Sequence, residues 1–181
     1  MIVITGSHGQ ESQTPMTSTH APPPRALITI AAVELLHRLR ARHGPVMFHQ
    51  SGGCCDGSSP MCYPEGEFIV GDRDVLLGIL EDAPVWISGP QFETWKHTQL
   101  VIDVVPGRGG GFSLETPEGL RFLSRGRAFS ASEVELLAEA APLTGADYEG
   151  GARPLARTDL VVADAADACQ IPGRRAEAVQ P

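Results

Sequence analysis

The chain lacks most of the signatures that would assign a function outright. No apolar run approaches the ~20 residues of a membrane-spanning helix. No Lys/Arg cluster follows a predicted strand or helix, and the net charge is −8 with a pI near 5.2. Nucleic acid and anionic membranes are therefore not expected partners. No basic segment followed by an apolar stretch opens the sequence, so a secretory signal is not expected and the reading is of a cytoplasmic protein with reduced thiols. There is no Gly-x-Ser-x-Gly elbow, no dinucleotide fingerprint and no paired C-x-x-C knuckle. The glycine run at 107–111 is not followed by Gly-Lys-Ser/Thr, so it reads as a turn between strands and not as a phosphate loop. Four cysteines in 181 residues are too few for a disulfide scaffold.

What the chain does have is a concentration of those cysteines. Cys54, Cys55 and Cys62 fall within nine residues, in His49-Gln50-Ser51-Gly52-Gly53-Cys54-Cys55-Asp56-Gly57-Ser58-Ser59-Pro60-Met61-Cys62. Thiolates with a nearby imidazole suit zinc, copper(I) or an iron–sulfur centre. Glycines on both sides allow the backbone to fold tightly. Cys54, Cys55 and Cys62, completed by His49 or His97, are the expected metal ligands, for zinc, iron or an iron–sulfur cluster. His97 stands one helical turn after Glu93, where an ordinary surface pair is the alternative. A Gly-rich turn carrying three inert thiols is the competing reading of the cysteine segment. Cys169 stands alone and reads as an uninvolved thiol.

The organisation predicts three parts. Residues 1–24, rich in Ser, Thr, Gln and Pro, read as a disordered N-terminal arm. Residues 25–141 read as the folded domain, and 142–181 as a flexible tail with one helical turn near 159–167. Within the domain, Thr29 caps a helix to about His43, whose stripe is Ile28, Ala32, Leu35 and Leu39. Gly44-Pro45 ends it. Short runs at 46–49, 68–70, 75–80, 85–88, 99–105, 112–115 and 120–123 read as strands. Ser130-Ala131-Ser132-Glu133 is a capping box for a last helix to about Ala140. Asp103 lies in a strand among apolar neighbours and needs a cation, which Arg121, Arg125 or Arg127 can supply. The fold class expected is α+β: a small, mostly antiparallel β-sandwich with one helix before and one after the strands.

Two resemblances attach to these residues. The strings Met47–Gly57 and Trp95–Gly109 resemble an uncharacterised bacterial family of short proteins often encoded beside aldehyde dehydrogenases. That resemblance implies an aldehyde dehydrogenase as partner. The order of signals is also similar to the A-type iron–sulfur carriers, which implies a HesB-like fold. The matching points are Thr29, the strand before Gly52-Gly53-Cys54, Leu100–Asp103, Gly111–Leu114 and Thr116-Pro117-Glu118. Of the carriers' three cysteines only Cys54 carries over, because Leu123 and Arg125 stand where the other two would be. These readings predict a metal-binding accessory protein, with a homodimer formed through an exposed sheet edge. The alternatives are a thiol-redox protein or enzyme with Cys54 as reactive thiolate, a metal-dependent enzyme acting on small aldehydes, and a purely structural binding module.

Overall fold

The computed structural model describes residues 21–50, 59–108 and 111–168. The first element is a strand, β1 (Ala26–Thr29), followed directly by helix α1 (Ile30–His43). Thr29 closes the strand and caps the helix, its Oγ1 accepting from the Ala32 amide. The expected stripe is buried at Ala32, Leu35 and Leu39, joined by Leu36, while Ile28 belongs to the strand. Gly44 ends α1 at φ 79°, a value glycine adopts without Cβ strain.

Then come β2 (Val46–Gln50), β3 (Pro60–Pro64), β4 (Val75–Leu80) and β5 (Ala83–Ile87). A short helix α2 (Gly89–Trp95), strand β6 (Thr98–Pro106), a 3-10 turn (Thr116–Glu118) and strand β7 (Leu120–Ala128) follow. Helix α3 (Ala131–Glu139) starts from the expected capping box of Ser130 and Glu133. The chain continues with α4 (Gly145–Glu149), β8 (Val161–Val162) and α5 (Ala165–Ala168).

Two open four-stranded sheets result, ordered β7-β6-β1-β8 and β3-β2-β5-β4. The expected mostly antiparallel arrangement is corrected here. β1 pairs in parallel with β6 and β8, and β2 with β5, while β2–β3, β4–β5 and β6–β7 are antiparallel. β1 and β2, joined by α1, lie in different sheets, and each pairs in parallel with a strand distant in sequence. Runs 68–70 and 112–115 are not strands. β3 and β1, in turn, had no predicted counterpart.

One core joins the sheets. Phe48 of β2 meets Phe122 of β7 edge to face at 4.9 Å, and Ile28, Leu35, Leu39, Val85 and Ile102 complete the same cluster. Past residue 142, where a flexible tail is expected, two stretches of the chain rest on the sheets. Leu143 and Tyr148 rest on the outer face of β2 and β5, against Met47 and Trp86. Leu160, Val162 and Ala165 rest on Leu27 and Val101 of the other sheet. Asp103 finds its cation as expected: its carboxylate accepts from Arg125 Nε at 2.7 Å and from Thr29 Oγ1 at 3.0 Å. Burial pushes this carboxyl up, but those bonds outweigh it and hold it below its ordinary range.

The capping box is reinforced by Arg127, which grips both oxygens of Glu133 at 3.0 and 2.7 Å. That bidentate contact, with the Ser130 amide, lowers the Glu133 pKa to about 2. A depressed carboxylate adds stability above its unfolded pKa and loses it as pH falls through the folded value. Glu133→Gln should therefore flatten the acid limb of the stability curve between about pH 4.5 and 2, read by urea unfolding across that range. Ser130→Ala should cost about 1 kcal/mol at neutral pH.

Candidate functional site

Strands have a two-residue side-chain period, and β2 uses it to separate two environments. Val46 and Phe48 face the core, as does Cys62 of β3, the register partner of Phe48. Met47 and His49 face the other way, with their partners Tyr63 and Met61. His49 and Met61 line an open groove with Gln50, Tyr63, Phe68 and Gln91. Gln50 and Pro60 are register partners, so the segment carrying Cys54 and Cys55 departs from and returns to this end of β2 and β3.

His49 is held firmly. Its Nε2 lies 3.2 Å from Asp74 Oδ2, the same oxygen that accepts from the Gly71 amide at 2.9 Å. A carboxylate can only accept, so Nε2 carries a proton. The ring leans on Phe68 at 4.6 Å, and Phe68 stacks on Tyr63 at 4.8 Å. An imidazole oriented by a carboxylate is the arrangement found behind metal-ligating and proton-transferring histidines.

Cys62 is placed differently. Its side chain is fully buried in the core. Burial first, and then the Glu115 carboxylate, push its thiol far above the ordinary range. A thiolate is thus strongly disfavoured there, and with it nucleophilic or metal-binding chemistry. The neighbouring polar groups serve to fasten structure. The Cys62 amide donates to Ser113 Oγ at 2.8 Å, and the Ser113 hydroxyl donates to the buried Glu115 carboxylate. Glu115 also accepts from the Phe122 amide, so this chain of bonds ties the segment after β6 to β3 and β7, one strand from each sheet.

His97 is exposed in the turn after α2, and its carbonyl accepts from Phe129 N. Glu93 pairs instead with Lys96 at 2.8 Å. The structure thus places His49 at the root of the cysteine segment and brings neither Cys62 nor His97 to it. Cys54, Cys55 and Cys169 lie outside the described residues. Among the described residues, no group of three His, Cys, Asp or Glu side chains is arranged to hold a metal ion, and no helix is long and apolar enough to cross a membrane. Sequence reasoning missed Asp74, Met61 and Glu115. Asp74 has no pattern marking it; Met61 could have been found by reading Pro60–Pro64 as a strand paired with β2.

A family model described as a domain of unknown function, DUF779, matches residues 35–128, just over half of the chain. The chain belongs to that family. Comparison with curated proteins gave no match, and comparison with solved structures gave none.

Burial raises the Glu115 pKa against the bonds from Ser113 and Phe122. The native state therefore holds this proton more tightly than the unfolded chain, and stability falls as pH rises above the unfolded value. Glu115→Gln removes the charge and keeps one acceptor oxygen for the Phe122 amide, while its amide nitrogen would donate to Ser113 Oγ instead of accepting from it. It should be more stable relative to wild type at pH 7 than at pH 4, as measured by denaturant unfolding at the two pH values. An equal difference at both would contradict the buried-carboxyl account.

Proposed function

We propose that this DUF779 protein is a metal-binding accessory protein whose ligands are Cys54 and Cys55 with His49. The observation that carries the reading is the His49–Asp74 pair at 3.2 Å, at the strand end from which the cysteine segment leaves. An imidazole oriented by a carboxylate, with thiols close to it in sequence, is a donor set that suits a soft or borderline metal. Cys62 is better read as a core residue than as a ligand, given its burial. The likeness to A-type carriers supports Cys54 as a ligand position and gives no second cysteine at Leu123 or Arg125. The resemblance to proteins encoded beside aldehyde dehydrogenases supports such an enzyme as the recipient of metal or assembly help. β7 forms one outer edge of its sheet, and pairing there would give the homodimer.

The second reading is thiol-redox chemistry, with Cys54 as the attacking thiolate, Cys55 as its resolving partner and His49 lowering the thiol pKa. The same His49–Asp74 pair favours it.

Elemental analysis of protein purified anaerobically under reducing conditions separates the two. The metal reading predicts about one ion per chain, lost in Cys54→Ser and retained in Cys62→Ser. Asp74→Asn should weaken binding about 10- to 100-fold. Absence of metal, with one thiol titrating far below ~8.5, would transfer the assignment to thiol chemistry. Mixing the protein with an aldehyde dehydrogenase should give a complex on size-exclusion chromatography if such an enzyme is the partner.

A further inference from the structure

A second cavity lies where α2 meets both sheets. Leu77, Ile87, Phe92 and Leu100 give it apolar walls, and Arg25, Trp95, Lys96 and Thr98 also line it. It holds about 320 Å3 of space free of atoms, mouth included, near the lower end of small-molecule sites at roughly 300 Å3. Among the described residues no acidic side chain lines it. The Arg25 guanidinium lies 5.3 Å from the centre of the Phe92 ring, so its charge sits against one of the cavity walls. Only Nη2 is spent on hydrogen bonds, donating to the Leu137 and Ala140 carbonyls at 3.0 and 3.2 Å. Nε and Nη1 have no partner among the described residues and are not sealed from solvent. No carboxylate there pairs with this cation, and burial lowers its pKa. Other lining groups can donate too. The Thr98 hydroxyl and the Trp95 indole N–H make no hydrogen bond among the described residues, and Lys96 Nζ stands 2.8 Å from Glu93 at the surface.

A half-buried cation with unspent donors, set against apolar walls, is complementary to an anion with an apolar body. A fully hydrated oxyanion such as phosphate would gain nothing from those walls. The inner part of the cavity is narrow, with room for a single water-sized group, which suits a methyl or methylene group and not a ring. We infer that this cavity is a binding site for a short aliphatic monocarboxylate, its carboxylate taken by Arg25 and the neighbouring donors and its alkyl chain laid against Phe92 and Ile87. Neither His49 nor Asp74 lines it, and no metal is needed there.

The test is isothermal titration calorimetry of the full chain with sodium butyrate and with butyramide, which has nearly the same shape without the charge. Butyrate should bind saturably at one site per chain, and butyramide at least about tenfold more weakly. Arg25→Gln should weaken butyrate binding at least about tenfold, with thermal unfolding checking that the variant is folded. Thr98→Val removes a hydroxyl at nearly constant size and should weaken butyrate about threefold; it decides the matter where Arg25→Gln does not fold. Butyramide binding as tightly as butyrate, no saturable butyrate binding at millimolar concentrations, or butyrate affinity unchanged in a folded variant would each overturn the site.

Discussion

The register between β2 and β3 is the constraint on which the rest depends. Pairing Phe48 with Cys62 and His49 with Met61 sends alternate side chains to opposite faces. One face completes the core shared by both sheets; the other forms the groove. A slip of one residue would set His49 opposite Cys62, either bringing His49 into the core or exposing Cys62 to the groove. The hydrogen bonds from Cys62 N to Ser113 and from Ser113 to Glu115 oppose that slip, because they fix β3 against the segment after β6. The core and the groove are therefore two consequences of one pairing.

This division gives Cys62 and His49 different characters. Cys62 sits where a thiolate is penalised by burial and by the Glu115 carboxylate. Its sulfur contributes packing, as buried free cysteines commonly do. His49 sits on the groove face, with its Nε2 held by Asp74. It lies apart from Cys62, with which sequence proximity alone would have grouped it.

Much of the fold was legible. Helix caps are short-range signals: Thr29, Gly44 and the Ser130–Glu133 box work within four residues, and all three stand where the sequence put them. Asp103 also finds a cation, as a carboxylate in a β-branched strand must, and of the three candidate arginines it is Arg125. β3 was hidden by its two prolines, Pro60 and Pro64, which look like loop punctuation. They are tolerated because they stand at the ends of an edge strand. β1 was hidden because Ile28 fits the helical stripe as well as it fits a strand. The parallel pairings were not legible, since strand direction is set by which sheet each strand joins. Residues 143–168 were hidden by composition, because their few apolar side chains are spread over two sheet faces. His49 was found through its nearness to the cysteines; its partner Asp74, 25 residues on, is brought to it only by the tertiary fold.

The most direct test of this division is the alkylation rate of Cys62 in the native protein, followed site by site by mass spectrometry and compared with the rate of global unfolding. The account predicts that Cys62 is modified only as fast as the molecule unfolds. Modification at the rate of a free exposed thiol under native conditions would contradict it, and would return Cys62 to the set of available ligands.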